Sequence, residues 1–346
     1  ATARVGRQTR NSDGIFSRFD GALFTWKPRE RTAVNLAVGS PVDSSADAPA
    51  KDDRYFVSAS ADFEDIADRV DLTVYGIEQR AGSLVDRRAV GAEVQYIDDR
   101  RSFFGAIDYD LHYKRISSLV VSGSITNPDS STISARADYV HSPGLVTTNA
   151  LQGQAANTLD QLLQTFSVSQ ISELALDRTA ETASLNVAYS RPLDEKTQLT
   201  VDGTLYHTGG NPASGGVAAV PAPGLEFFAS AQLVRSDIFR KGDVASATLR
   251  YANTVSTDLY LLDVYSRYPV SKKLRLRPRI KLGYRNLKTA GGSEVFVIPS
   301  MTANYQFTKT TSFELELSSL WSSRKTGTTR ESSNEIGIVA GYRVEF

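Results

Sequence analysis

Cysteine is absent from the 346-residue chain, which excludes a disulfide framework and any metal centre built on thiolates. An excess of charge of either sign is absent too. Lys and Arg number 39, as do Asp and Glu, so no bulk field favours nucleic acid, and only local charge patterns bear on function. No stretch approaches the roughly 18 consecutive apolar residues of a membrane-crossing helix; the apolar fraction is 41% and the mean hydropathy is −0.26. A helical membrane topology is therefore excluded. No basic n-region followed by an apolar stretch opens the chain, and Ala1 to Gln8 already reads as part of a strand, so a processed or excised chain is expected.

What the sequence does contain is a two-residue alternation, clearest from Lys273 to Arg285. Successive side chains of an extended strand point to opposite faces. Leu274, Leu276, Pro278, Ile280, Leu282 and Tyr284 thus form one apolar stripe, and Lys273, Arg275, Arg277, Arg279, Lys281 and Arg285 form the other. A helix would mix the two sets, whereas a strand between lipid and water separates them. The pattern predicts an all-β, transmembrane, antiparallel up-and-down β-barrel over residues 1–346. Fifteen Tyr, fifteen Phe and two Trp suit aromatic girdles at membrane interfaces, and a soluble β-sandwich could carry similar numbers.

Alternation recurs along the chain. It predicts eighteen strands, or sixteen if weak strands near the N-terminus merge. Links at Glu64 to Asp68, Asp98 to Arg101, Arg191 to Lys196 and Thr308 to Thr310 are short. The interleaved ones at Ser40 to Asp53, His141 to Thr182 and Thr208 to Pro223 are long, and the tight link around Tyr113 to Ile116 departs from the scheme. Short periplasmic turns and longer extracellular loops are the outer-membrane arrangement. Between Asn157 and Asp177 the period changes: Leu159, Leu162, Leu163 and Phe166 recur at helical spacing, and Ser167 to Gln170 has the form of a capping box. A short helical insertion (157–177) is expected there, either a compact external loop with its own core or a plug. Pro278 and Pro299 lack the ladder donor, so a bulge or weakened pairing is expected beside each.

The last strand, Val339-Ala340-Gly341-Tyr342-Arg343-Val344-Glu345-Phe346, resembles the C-terminal assembly signal of outer-membrane barrels. Gly341, Val344 and Phe346 fit that pattern; Val339 stands where a polar residue is usual, and Val344 is aliphatic where an aromatic is commoner. The resemblance implies location in the bacterial outer membrane and recognition by the barrel assembly machinery. Val5-Gly6-Arg7-Gln8 and Arg18-Phe19-Asp20-Gly21 are similar to barrel openings of tetratricopeptide-linked outer-membrane proteins, among them exopolysaccharide export porins. That resemblance implies a periplasmic helical repeat domain ahead of Ala1 as a partner domain.

With the apolar stripes against lipid, the inward positions include the acidic Asp62, Asp71, Glu93, Asp108 and Asp110. The inward basic set is Arg250, Arg267, Lys273, Arg275, Arg277, Arg279 and Lys281. In a closed eighteen-strand barrel the two sets would stand on opposite walls and set a transverse field across a water-filled pore. The basic wall would favour anionic solutes. Internal neutralisation is the competing expectation, because Glu314 and Glu316 lie two strands from the basic row. The expected function is a porin or export channel for polar or anionic solute or polysaccharide, in contact with outer-membrane lipid, with no cofactor, metal, nucleic acid or covalent chemistry. A hydrolytic barrel using His112, His141 or His207 and a closed structural or adhesive barrel are the alternatives; no Ser-His-acid spacing or metal-ligand motif supports the first.

Overall fold

The computed structural model describes residues 1–12, 14–42 and 53–345. Eighteen strands run in antiparallel up-and-down order, the fold class the alternation predicts and the higher of its two strand counts. They are β1 (Thr2–Ser12), β2 (Ile15–Arg29), β3 (Thr32–Val42), β4 (Arg54–Ile66), β5 (Val70–Ala81), β6 (Leu84–Ile97), β7 (Arg101–Asp110), β8 (Arg115–Thr126) and β9 (Thr132–Ser142). A 3-10 turn (Thr147–Leu151) and two helices, α1 (Leu159–Leu162) and α2 (Val168–Asp177), follow. The chain continues with β10 (Ala180–Asp194), β11 (Thr197–Thr208), β12 (Gly224–Ser236), β13 (Val244–Asn253), β14 (Thr257–Pro269), β15 (Leu274–Leu287), β16 (Gly292–Gln306), β17 (Thr311–Thr326) and β18 (Thr329–Val344). The expected loop from Ser40 to Asp53 falls largely outside the described residues, as does Phe346. The chain divides into two compact units: residues 1–125, 135–185 and 207–224, and residues 126–134, 186–206 and 225–346.

In the second unit β12 to β18 pair consecutively. The register separates two faces. Pro278, Met301, Leu317 and Ile338 lie across from one another on β15 to β18, and one step along the ladder Arg279, Ser300, Ser318 and Gly337 do the same. The apolar face is bare: Leu282, Leu317 and Ile338 are exposed. Apolar surface of that extent is not stable in water. Phe227, Tyr251, Tyr260 and Tyr284 form an aromatic row on it, with successive centroids 6.0, 4.9 and 6.3 Å apart.

The two prolines weaken pairing without a bulge. Between β14 and β15 the ladder lapses after Tyr265↔Arg279 and resumes in the same register at Tyr268↔Leu276, opposite Pro278. Between β16 and β17 it lapses between Val297↔Trp321 and Ser300↔Ser318, beside Pro299. The β15–β16 ladder between them is unbroken. Alternate residues of an antiparallel strand direct their donors to alternate neighbours, so each proline costs pairing on one side only.

In the first unit β1 to β8 pair consecutively. Phe24, Leu36, Ala59, Gly76, Val90 and Tyr109 run across one face; Thr25, Asn35, Ser60, Tyr75, Gly91 and Asp108 run across the other. That second face is not uniformly polar. Ile15, Phe19, Leu23, Ala37, Phe56, Ile77 and Ala89 form a buried apolar cluster on it. The segment after β9 accounts for their burial: Pro143, Leu145 and Val146 share with Ile15, Phe19, Phe56 and Ile77 the walls of a cavity of about 340 Å³, and Leu145 is 1% exposed.

The insertion has its own core. Leu159, Leu162, Ile171, Leu174 and Ala175 pack with Ala150 and with Ala81 and Leu84 of the β5–β6 turn. The predicted capping box forms, the Ser167 side chain accepting from the Gln170 amide while the Gln170 side chain accepts from the Ser167 amide. Thr148 N–H donates to Asp86 at 2.7 Å and Ser83 to Asp160 at 3.0 Å. Arg178 ties the insertion to the β11–β12 loop through Ser214. Short turns are closed by carboxylates instead: Asp98 accepts from the amides of Arg100 and Arg101 at 2.8 and 2.7 Å and from Tyr96 at 2.6 Å. These bonds, Tyr96 first, lower its pKa to about 2.

Candidate functional site

The polar face of β14 to β17 carries the predicted basic row, and the register sets its neighbours. Arg275 lies across from Asn304, Arg277 from Thr302, Arg279 from Ser300 and Lys281 from Ile298 on β16. Thr302 and Asn304 then face Glu316 and Glu314 on β17.

The row is not one electrostatic unit. In its middle Arg279 makes a double hydrogen bond to Asp263 on β14, and Lys281 and Arg250 act on the same carboxylate. Asp263 thus offsets Arg279, one of these three cations, and was not anticipated from the sequence. Phe296 lies above Gly283 on the same face, with the Arg285 guanidinium 5.4 Å from its ring centroid and bonded to Glu294 at 2.9 Å.

Towards the short β14–β15 turn the cations draw together. Arg267, Lys272, Lys273, Arg275 and Arg277 line one recess of about 380 Å³ with Tyr265, Asn304, Tyr305, Gln306 and Ser312. Arg277 reaches Glu314 only at 3.4 Å, and Lys273 Nζ donates to the Phe307 carbonyl at 3.4 Å. Arg267, Lys272 and Arg275 have no carboxylate partner among the described residues. The Asn304 side-chain nitrogen is buried at the recess and donates to nothing among those residues. The recess can therefore hold a group rich in acceptor oxygens and negative charge. Of the predicted basic residues it gathers Arg267, Lys273, Arg275 and Arg277 and leaves out Arg250, Arg279 and Lys281. Lys272, Asn304 and Gln306 were not anticipated; the polar parity of Ser300, Thr302, Asn304 and Gln306 on β16 was the signal that marked two of them.

The predicted acidic residues belong to the first unit and are engaged locally. Asp108 is 1% exposed, accepting from Arg87 at 2.5 Å and from Tyr75 at 2.8 Å. Asp110 is buried and caps the β7–β8 turn, accepting from the amides of His112 and Tyr113. Asp62 accepts from Asn35 and Thr73, and Asp71 from the Asp65 amide. Glu93 is partly buried, within the influence of Asp62 and Arg10. The Asp108 and Asp110 carboxylates thus brace the strands from within.

The histidines show no shared centre. His141 is buried between the Ser117 carbonyl, 3.3 Å away, and Glu181, 3.6 Å away. His112 stacks edge-on against Tyr113, and among the described residues no group of three or more His, Asp or Glu is placed to hold a metal. In the final strand Gly341 faces Glu314 and Val344 faces Thr311.

No protein-family model matches the chain, and a comparison with curated proteins finds no match. Solved structures do match. A bacterial polysaccharide outer membrane secretin aligns over 92% of this chain and 100% of its own at 10% identity and a TM-score of 0.35. Outer-membrane expressed OmpT of Vibrio cholerae aligns over 92% and 99% at 12% identity and a TM-score of 0.39, and its loop L8 deletion mutant over 99% and 98% at 11% and 0.39. The membrane assignment rests on the chain's own two faces. Strands with one bare apolar face and one polar face cross lipid, and bacterial barrels that do so belong to the outer membrane.

Proposed function

We propose that the protein is an outer-membrane channel, a porin or export pore, passing polar and anionic solute or polysaccharide along the polar face of its strands. The observation that carries this reading is that Arg267, Lys272 and Arg275, on the polar face of the strands, have no carboxylate partner among the described residues. A cation kept without a partner on a wetted wall attracts mobile anions, and a confined channel strengthens that attraction. Lipid surrounds the apolar face, and the barrel assembly machinery reads the last strand. The reading involves no covalent chemistry and no cofactor. Loss of a hydrolytic activity in His141→Ala would count against that.

Planar-bilayer conductance tests the proposal. The purified chain should conduct with a reversal potential favouring anions, and R267S/R275S should shift it towards cations. Unchanged selectivity in that variant would remove the basic row from the mechanism. A closed barrel acting through its loops is the second reading, favoured by Pro143 to Thr148 lying over the inward apolar cluster. Solute flux into liposomes separates it from a channel.

A further inference from the structure

The basic recess differs from a diffuse charged wall in two respects. Arg267, Lys272 and Arg275, which have no carboxylate partner among the described residues, converge on one concavity of about 380 Å³, a volume within the range of small-ligand sites. A buried donor, the Asn304 side-chain nitrogen, sits there without an acceptor among the described residues. A buried polar group without a partner is costly, and a mobile counterion atmosphere does not supply a fixed acceptor. An oxyanion seated among the three cations supplies both charge and acceptor.

We infer that this recess is a discrete binding site for a phosphoryl group, as free phosphate or as a phosphate ester on the transported solute. Three cations with no carboxylate among the described residues call for more than one negative charge. A phosphoryl group carries between one and two at neutral pH and has three strong acceptor oxygens, whereas a single sugar carboxylate carries one charge. Arg267 and Arg275 present planar forks that bind such oxygens in pairs. Lys272 and Lys273 add point charges from the β14–β15 turn, and Arg277 adds a guanidinium drawn only partly away by Glu314. The β14–β15 ladder lapses beside Pro278, between Tyr265 and Tyr268, so Arg267 stands on backbone that the sheet does not hold through that ladder. The inference deepens the channel reading and rests on it only for the polar face being wetted.

Isothermal titration of inorganic phosphate into the full chain in zwitterionic detergent, at neutral pH and low ionic strength, tests it. One saturable site is expected, at least tenfold weaker in R267Q/R275Q. It should also be at least tenfold weaker in N304D, a near-isosteric change that replaces the donor with a carboxylate oxygen facing the ligand. Sulfate should compete, and galacturonate should bind at least tenfold more weakly. A featureless uptake of heat that is the same in all three proteins would overturn the inference in favour of a general charged wall. Galacturonate binding as tightly as phosphate would overturn the phosphoryl assignment. Heat-dependent electrophoretic mobility confirms that each variant is folded, and a folded N304D that binds like the parent would also sink the inference. The experiment needs no open pore: phosphate binding without conductance removes the channel, and anion-selective conductance without phosphate binding removes only the site.

Discussion

Arg275 and Arg279 share a strand and a face, and differ in what β14 offers each of them. Arg279 meets Asp263, whereas Arg275 lies across from Pro269. Asp263→Asn should therefore extend the uncompensated cationic stretch to Arg279, and raise anion preference in reversal-potential measurements; a shift towards cations would contradict the pairing. Gly283 is held for a steric reason, because a Cβ there would fall 2.0 Å from the Phe296 ring. Gly283→Ala should cost about 1–3 kcal/mol, the usual range for overpacking, and Phe296→Leu in the same chain should recover much of it, both read as resistance to thermal unfolding in detergent. Asp98 supplies a pH dependence whose sign is fixed. Its folded pKa of about 2 lies below the roughly 3.9 of an unfolded Asp, so its contribution is complete above the unfolded value and is lost as pH falls through about 2. Asp98→Asn should flatten the stability profile across that acid window and leave it parallel to the parent near neutrality. Equal acid sensitivity in the two proteins would show that the turn carries no such linkage.

At the level of elements, the strands were legible because each carries its period within a dozen residues, and the insertion was legible because its apolar residues switch to helical spacing and open on Ser167 to Gln170. The cluster on the inward face of the first unit was not. On β2 both parities are apolar, Phe24 and Trp26 on one side and Ile15, Phe19 and Leu23 on the other, so alternation does not say which face is covered. The cover, Pro143 to Val146, lies far away in sequence. The split of the basic row was hidden for a similar reason, since Asp263 meets Arg279 only once the β14–β15 register is known. The insertion leads to its own test. Ile171 is fully buried in a core that the insertion builds with Ala81 and Leu84, so Ile171→Ala should remove about 2–5 kcal/mol of local packing. Limited proteolysis should then cut within residues 147–177 while the strands stay resistant. Global unfolding of the variant would mean instead that the insertion supports the strands.

For the molecule as a whole, the two faces make a claim that the absence of cysteine allows to be tested residue by residue. Single cysteines can be introduced into a chain that has none, and each reports the medium its face meets. Leu282 and Leu317 belong to the bare apolar face; Ser300 and Thr302 belong to the polar face beside the arginines. If the strands cross lipid around a wetted interior, fluorophores at 282 and 317 should be quenched by lipid-borne quenchers and resist water-soluble thiol reagents, while positions 300 and 302 should react with those reagents and escape the quenchers. A filled barrel would protect 300 and 302 from both. A soluble sandwich would bury 282 and 317 away from both and dissolve without detergent. Arginine at 282 or 317 should add about 2–4 kcal/mol near the bilayer midplane, the depth-dependent cost of a cation on a lipid-facing strand, and reduce insertion into vesicles. The same substitution at 300 or 302 only enlarges a basic surface that the polar face already presents, and should leave insertion as it is in the parent chain. Equal loss at all four positions would mean that the parity of the strands does not divide lipid from water, and the channel reading would fall with it.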